Sequence, residues 1–305
     1  MKVYDVVIVG GGPAGLTAGI YVSRSKLKAI LLEKGLPGGQ IATTEHIENY
    51  PGFTSGAGYE LTAIMEEQAK GFGLETAMAE VTGVQLGGRE KTITTNQGEY
   101  RARTVILAPG TSSRKLNVPG EKEFIGRGVS YCATCDGPFY EGLTVMVVGG
   151  GNAAVEEANY LTRFAKKVYI VHRRDALRAT KVVQERAFAN EKIEILWDSV
   201  VAEIKGNEML EEVMVKNVKT GQITPVTVDG LFVYIGFVPN TAFLQGQVEM
   251  DEAGYIITNE QMETSVPGVF AAGDCRQKLL RQVVTAASDG ATAAFAAEKY
   301  LEEQQ

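Results

Sequence analysis

Cys132-Ala133-Thr134-Cys135-Asp136 places two thiols two residues apart, with a carboxylate directly after the second. Such a pair closes a small disulfide that thiol–disulfide exchange can reopen, at a rate set by how strongly the surroundings favour thiolate. Zinc is the chief alternative for Cys-x-x-Cys. It needs about four ligands, and the chain has two histidines, His46 and His172, to fill a shell. Asp136 reads two ways: as the acid/base that moves the exchange proton, or as a cap on the turn Asp136-Gly137-Pro138. The third cysteine, Cys275, reads as a small buried residue near a ligand rather than a redox partner. His46 lies in a polar turn segment and is given no role.

Two glycine-rich turns supply a second chemistry. Val6-Val7-Ile8-Val9 runs into Gly10-Gly11-Gly12-Pro13-Ala14-Gly15, and Val145-Met146-Val147-Val148 runs into Gly149-Gly150-Gly151-Asn152-Ala153-Ala154. In each, the first glycine allows a tight turn and the second lets a pyrophosphate approach the backbone. The third position, Gly15 or Ala154, stays small for helix–strand packing. The helix that follows offers free N–H groups and a positive dipole end to the diphosphate. The second strand of the first copy ends at Glu33, and that of the second at His172-Arg173-Arg174, at the same spacing from the first glycine. Glu33 suits ribose hydroxyls. The cluster His172, Arg173, Arg174 and Arg178 instead suits a 2′-phosphate, which guanidinium forks bind bidentately and a carboxylate would repel. The first turn therefore reads as an FAD site and the second as an NADPH site.

The elements that position these residues form a duplicated βαβ unit, so the fold class expected is α/β with two Rossmann-like dinucleotide-binding domains, the second inserted into the first. Helix-like stretches follow each turn, the second over Val155 to Phe164. The tail Val266–Asp274 reads as a short strand ending in Gly-Asp, followed by an Ala-rich helix from about Arg281 to Tyr300. Residues 1–110 hold too few strands for a complete doubly wound domain, so this tail is expected to return to it. The expected domains are 1–112 plus 244–305 for FAD, and 113–243 for NADPH and the cysteine pair, with crossings near Gly110–Leu116 and Gly236–Phe243.

Composition agrees. A length of 305 residues fits about two domains at ~150 residues each. Glycine accounts for 35 of them, well above the usual ~7%, as tight turns require. A net charge of −7 argues against a nucleic-acid surface. No apolar run approaches the ~18 residues of a membrane span, and the four-residue N-terminal apolar stretch reads as a strand rather than a signal peptide. The expected location is the cytoplasm.

These motifs, with Gly38-Gly39-Gln40, Glu48-Asn49-Tyr50-Pro51-Gly52 and Gly268–Asp274 followed by Arg281-Gln282-Val283, give a chain that resembles the low-molecular-weight, bacterial-type thioredoxin reductases along essentially its whole length. The resemblance implies a homodimer that passes electrons from NADPH through FAD to the Cys132–Cys135 disulfide, and on to a thioredoxin or thioredoxin/glutaredoxin-like protein. It implies FAD contacts at Gly10, Gly12, Pro13, Ala14, Gly15, Glu33, Gly39, Gln40, Asn49, Val81, Gly110, Gly273, Asp274, Gln282 and Val283. Of these, Asp274 would meet the ribityl chain and Gln282-Val283 the pyrimidine edge of the flavin. NADPH would meet Gly149, Gly151, Asn152, Ala153, His172, Arg173, Arg174 and Arg178. Cys135 would be the thiol that faces the flavin and Cys132 the one that attacks the partner, with Asp136 counted beside them as a catalytic candidate; no metal is implied. The inserted domain is expected to rotate about its paired crossings.

One departure stands out. Ala108-Pro109-Gly110 replaces the usual Ala-Thr-Gly, and proline removes a backbone donor, so the contact or hinge there is expected to differ. A ferredoxin-dependent reductase, a dithiol oxidase and a non-enzymatic flavin redox sensor share the fold. The intact second glycine turn and its basic cluster argue against the first two, and turnover with NADPH and an artificial disulfide separates the last.

The basic cluster yields a direct test. Replacing Arg173 and Arg174 with neutral residues removes charge-assisted bonds to the 2′-phosphate and should shift preference from NADPH toward NADH by roughly a hundredfold or more. Steady-state KM values for both coenzymes read this, and an unchanged ratio counts against the assignment.

Overall fold

The structure, a computed structural model, describes residues 2–43, 47, 49–54 and 56–304. His46 and Glu48 lie outside the described residues. In chain order the elements are β1 (Val3–Val9), α1 (Pro13–Arg24), β2 (Ala29–Glu33), α2 (Gly58–Gly71), β3 (Glu75–Met78), β4 (Val81–Gln85), β5 (Lys91–Thr95), β6 (Gly98–Leu107), β7 (Thr111–Ser113) and β8 (Val129–Ser130). There follow α3 (Ala133–Asp136), β9 (Thr144–Gly149), α4 (Asn152–Leu161), β10 (Lys167–Val171), α5 (Lys181–Phe188), β11 (Ile193–Leu196), β12 (Ser199–Gly206), β13 (Leu210–Asn217), β14 (Ile223–Thr227) and β15 (Gly230–Tyr234). The chain ends with β16 (Phe237–Pro239), β17 (Val269–Ala271) and α6 (Val283–Glu303).

These form two compact units, 1–112 with 238–305, and 113–237. The two crossings, β7 and β16, pair as a short ribbon. Residues 238–243, read above as the end of the insert, group with the first unit. There Asn240 donates its backbone N–H to the Gly110 carbonyl at 3.0 Å and its side-chain amide to the Pro109 carbonyl at 3.0 Å. The proline has no N–H to give; its carbonyl and that of the next residue make the link.

In the first unit, β3-β2-β1-β6 is parallel and β5 and β4 extend it antiparallel. β6 is long enough to serve two neighbours. Its first half pairs with β5, while Val105, Ile106 and Leu107 take the returning β17 in parallel. Both faces of the central strands are covered, so Val6–Val9, Ala29–Leu32, Val105–Leu107 and β17 are apolar without alternation. Val6 and Ile8 point to the layer holding α1 and α6, and Val7 and Val9 to the opposite layer.

The second unit repeats the plan as β11-β10-β9-β15-β8, wholly parallel, with an antiparallel three-stranded sheet β12-β13-β14 added. Helix α4 starts at Asn152, three residues before the expected Val155, because the small residues after the glycines already adopt helix. It stops where Lys192 Nζ takes the Thr162 and Ala165 carbonyls, at 2.7 and 3.0 Å. Helix α6 likewise begins at Val283, with Gln282 as N-cap and its N–H bonded to Thr285 Oγ1 at 3.1 Å.

Helices α1 and α6 touch backbone to backbone at Gly290, where an added Cβ would stand 2.1 Å from the Ala14 carbonyl oxygen. Gly290→Ala should therefore cost about 1–3 kcal/mol through overpacking. Gly71→Ala, at the end of α2 where nothing lies within 4 Å, should be neutral or mildly stabilising. Urea midpoints of the two variants should fall on opposite sides of, or at least be clearly separated about, the parent value.

Candidate functional site

The cysteine pair sits where β8 ends. Ser130 Oγ accepts the Cys132 N–H at 3.0 Å and donates to the Cys132 carbonyl at 3.2 Å, fixing the chain as it leaves the strand. The next residues close the single turn α3, with Cys132 as its N-cap. Cys132 and Cys135 form a disulfide, their Cα atoms 5.3 Å apart. The Cys135 N–H donates to Cys132 Sγ at 3.1 Å. A donor on that sulfur favours the thiolate once the bond is reduced. Cys135 is exposed and Cys132 half-buried.

Of the two readings of Asp136, capping fails: its side chain makes no cap bond to the turn that follows, while its N–H donates to the Cys132 carbonyl at 3.2 Å. Beside it opens a cleft of about 410 Å³ whose lining includes Asp136, Tyr140 and the largely exposed Phe139.

Two supports were not foreseen. Tyr234, at the end of β15, accepts the Ala133 N–H on its hydroxyl at 2.8 Å, and burial first, then the charge of Glu157, raise its pKa and keep the phenol protonated. Glu121, buried, accepts the Leu116 and Asn117 N–H groups at 2.7 and 2.6 Å and the Tyr131 hydroxyl at 2.5 Å, beside Cys132. Neither belongs to a recognisable motif; the Tyr234–Ala133 contact joins residues far apart in sequence, while the Glu121 contacts close a local turn.

The second glycine turn is held from below and from the side. A Cβ on Gly149 would lie 2.4 Å from the Tyr234 carbonyl oxygen, and one on Gly150 2.3 Å from His172 Nδ1. The Arg178 and Ala179 N–H groups both donate to the Gly150 carbonyl, at 2.6 and 3.1 Å, and Thr180 N–H donates to Asn152 Oδ1 at 2.7 Å. Arg173, Arg174 and Arg178 are exposed around this turn. His172 is not part of that exposed cluster: it is 4% exposed, packed under Gly150, with Nε2 3.0 Å from the Ala176 carbonyl and its ring edge-on to Trp197. Burial, with Arg178 and Arg174 nearby, holds its pKa below the usual imidazole value. The strand end that looked like four cationic residues is three arginines over a buried imidazole.

In the first unit Gly10 has φ +105°, and a Cβ there would stand 2.1 Å from the Ala108 carbonyl oxygen. Glu33 accepts the Gly11 N–H on Oε2 at 2.7 Å and the Gly35 N–H on Oε1 at 3.1 Å, so the carboxylate stands beside the turn as the motif requires. Gly39 lies against Gly12, where an added Cβ would be 3.0 Å from the Gly12 Cα. Gln40 donates to the Thr111 carbonyl, and Asn49 Nδ2 donates to Gln282 Oε1 at 3.0 Å, which joins two residues far apart in sequence at the start of α6. Val81 lies on β4 opposite Thr95. Gly110, with φ +65°, and Gly273, with φ +79°, adopt left-handed turns. Asp274 Oδ1 is buried without a hydrogen-bond partner, and burial raises its carboxyl pKa against the opposing pull of Lys278 and Arg281. A buried carboxylate oxygen left open beside a glycine turn fits a hydroxyl-bearing ligand.

Cys275 is buried and free, its sulfur 3.3 Å from the Ala272 carbonyl oxygen. Among the described residues no group of three or more His, Cys, Asp or Glu could hold a metal. No helix among them is long and apolar enough to cross a membrane.

Comparison with known proteins adds three findings. Residues 4–290 match the pyridine nucleotide-disulphide oxidoreductase family. Thioredoxin reductases of Peptoclostridium acidaminophilum and Bacillus subtilis are each 51% identical, over 99% and 100% of this chain and 98% and 96% of theirs. The crystal structure of Lactococcus lactis thioredoxin reductase in its FR conformation superposes with a TM-score of 0.96 at 50% identity, covering 98% of this chain and 99% of that one.

The thiols separate cleanly. With Cys275 fully enclosed and its pKa pushed up to about 12 by burial, the native oxidised protein should show no rapidly reacting thiol toward an aromatic disulfide reagent at pH 8. Denaturant should expose one, and reduction of the native protein should expose the Cys132–Cys135 pair. A fast thiol in the oxidised native protein would show that Cys275 is accessible.

Proposed function

The chain belongs to the pyridine nucleotide-disulphide oxidoreductase family, and we propose that within it the protein works as an NADPH-dependent thioredoxin reductase. The observation that carries this reading is the placing of the Cys132–Cys135 disulfide in the same unit as a glycine turn ringed by exposed arginines. FAD would be held in the other unit by the Gly10–Gly15 turn, Glu33 and Asp274, with Gln40, Asn49 and Gln282 nearby. NADPH would be held by Gly149, Gly151, Asn152 and Ala153, with Arg173, Arg174 and Arg178 at the 2′-phosphate and His172 beneath. What the bound groups supply is a two-electron relay from NADPH to a disulfide.

The chain's own sulfur chemistry completes the reaction. Reduction with two electrons and two protons opens the Cys132–Cys135 bond. The Cys132 thiolate, favoured by the Cys135 N–H, attacks the thioredoxin disulfide, forms a mixed disulfide and expels one thioredoxin thiolate. The Cys135 thiolate then attacks Cys132 Sγ, expels the second thioredoxin thiolate and restores the disulfide. Asp136, whose side chain makes no cap bond to the turn that follows, would carry the protons that these thiolates gain and lose. The cleft beside it, with Phe139 at its lip, suits the apolar surface that a small thioredoxin-like partner presents around its own disulfide. Homodimeric assembly and a cytoplasmic location belong to the same reading, supported by the family resemblance and by the reducing surroundings that a dithiol donor serves. Ferredoxin-dependent or oxidase chemistry would leave the three exposed arginines without a ligand.

Single-cysteine variants test it. Cys132→Ser and Cys135→Ser should each take up FAD and be reduced by NADPH in an anaerobic titration, yet lose thioredoxin turnover by at least ~100-fold, since one thiol cannot both attack and resolve a mixed disulfide. Cys132→Ser should show a long-wavelength charge-transfer band that Cys135→Ser lacks. Thioredoxin turnover surviving in either variant, or a chain that never takes up FAD, would sink the proposal.

A further inference from the structure

Beneath the Gly273–Asp274 turn lies a charged cluster that the reaction above does not use. Asp289, in α6, is 6% exposed, and three residues aim donors at its carboxylate. Gly273 N–H reaches Oδ2 at 3.0 Å, Arg276 Nε reaches Oδ2 at 2.8 Å and its Nη2 reaches Oδ1 at 3.3 Å, and Lys278 Nζ reaches Oδ2 at 2.6 Å. Arg276 extends the network, giving its Nη1 to Thr258 Oγ1 at 2.6 Å. The side chains of Arg276 and Lys278 are themselves 13% and 8% exposed.

Taking these charges out of water is costly, and a buried ion cluster is seldom more stabilising than apolar packing of the same shape. What it can do is fix a geometry. The backbone of the Asp274 turn is gripped from two sides: Gly273 N–H by Asp289, and the Asp274 carbonyl by Arg281 Nε at 3.2 Å. Arg281 in turn takes the Arg276 carbonyl at 3.3 Å and stacks on the Tyr255 ring at 4.0 Å. With its backbone held, the Asp274 side chain keeps a buried oxygen, Oδ1, to which no group of the protein hydrogen-bonds.

We propose that Asp289 is a positioning residue for the flavin: together with Arg276 and Lys278 it locks the Gly273–Asp274 turn so that the incompletely hydrogen-bonded carboxylate of Asp274 is presented to the ribityl hydroxyls of FAD. The inference rests on the assignment of Asp274 to the flavin made above. It goes beyond that assignment in giving the ligand's orientation to a charge in a helix that need not touch the cofactor. The negative charge, rather than the volume of the side chain, is the operative property, because two cations converge on it.

That distinction sets the experiment. Release of FAD from diluted holoenzyme, followed by the rise in flavin fluorescence, is compared for the parent, Asp289→Asn and Asp289→Glu. Asp289→Asn keeps the shape and loses the charge, and FAD release should quicken at least about tenfold. Asp289→Glu keeps the charge and adds a methylene, and should lose less. A merely structural role gives the reverse order, with the isosteric Asn tolerated and the larger Glu damaging; that order, or unchanged release from Asp289→Asn, overturns the inference. Far-UV circular dichroism and a cooperative thermal transition report whether each variant is folded. If Asp289→Asn does not fold by those measures, Arg276→Gln takes its place: release at least about fivefold faster supports the proposal, and unchanged release overturns it. A parent protein that binds no FAD would overturn the flavin assignment and this inference together, whereas a parent rich in FAD beside an unaffected Asp289→Asn defeats this inference alone.

Discussion

Both units turn on one steric constraint, the lodging of a neighbouring strand's terminal carbonyl against the first glycine of each turn. In the first unit the carbonyl is that of Ala108, just past β6; in the second it is that of Tyr234, at the end of β15. Each carbonyl occupies the space a side chain would need, 2.1 Å from a Cβ on Gly10 and 2.4 Å from one on Gly149. A chain that must leave a strand beneath such an oxygen has glycine as its one unstrained choice. Once the turn is pinned, the following helix starts directly over the strand end and its first N–H groups face outward, which is the condition for holding a diphosphate. The remaining features of each unit follow from where that helix begins.

The two copies diverge at the strand-end residue. Glu33 folds back to the Gly11 N–H and places a carboxylate beside its turn. His172 fills the space under Gly150 and leaves the charge to the arginines that follow it. One scaffold thus carries opposite electrostatics through the strand-end residue and the arginines that follow it, since a carboxylate rejects the phosphate that guanidinium groups attract.

Much of this was legible in the sequence because it is local. The glycine register, the equal spacing to Glu33 and His172, the arginines and the cysteine pair all lie within segments of about 25 residues, the length of a βαβ repeat. What stayed hidden depends on which way side chains turn and what they pack against, which spacing does not report. The burial of His172 reflects Gly150 and Trp197 closing over it, and nothing in His172-Arg173-Arg174 distinguishes an inward ring from an outward one. The Tyr234–Ala133 contact joins residues far apart in the chain, and the Glu121–Tyr131 and Asp289–Arg276 contacts, though closer, follow no motif spacing. Spacing also misplaced the start of α4, because glycine and small residues read as turn while the helix had already begun.

Tyr234 touches both functional loops of its unit, but through different atoms. Its carbonyl bears on Gly149 and its hydroxyl on Ala133. The first contact belongs to the main chain and is indifferent to which amino acid stands there, whereas the second exists only with a hydroxyl at that reach. The coenzyme turn is therefore buffered against sequence drift at this position, while the redox loop is exposed to it. A substitution at residue 234 would therefore act on the redox loop through the lost hydroxyl while leaving the glycine turn its carbonyl support.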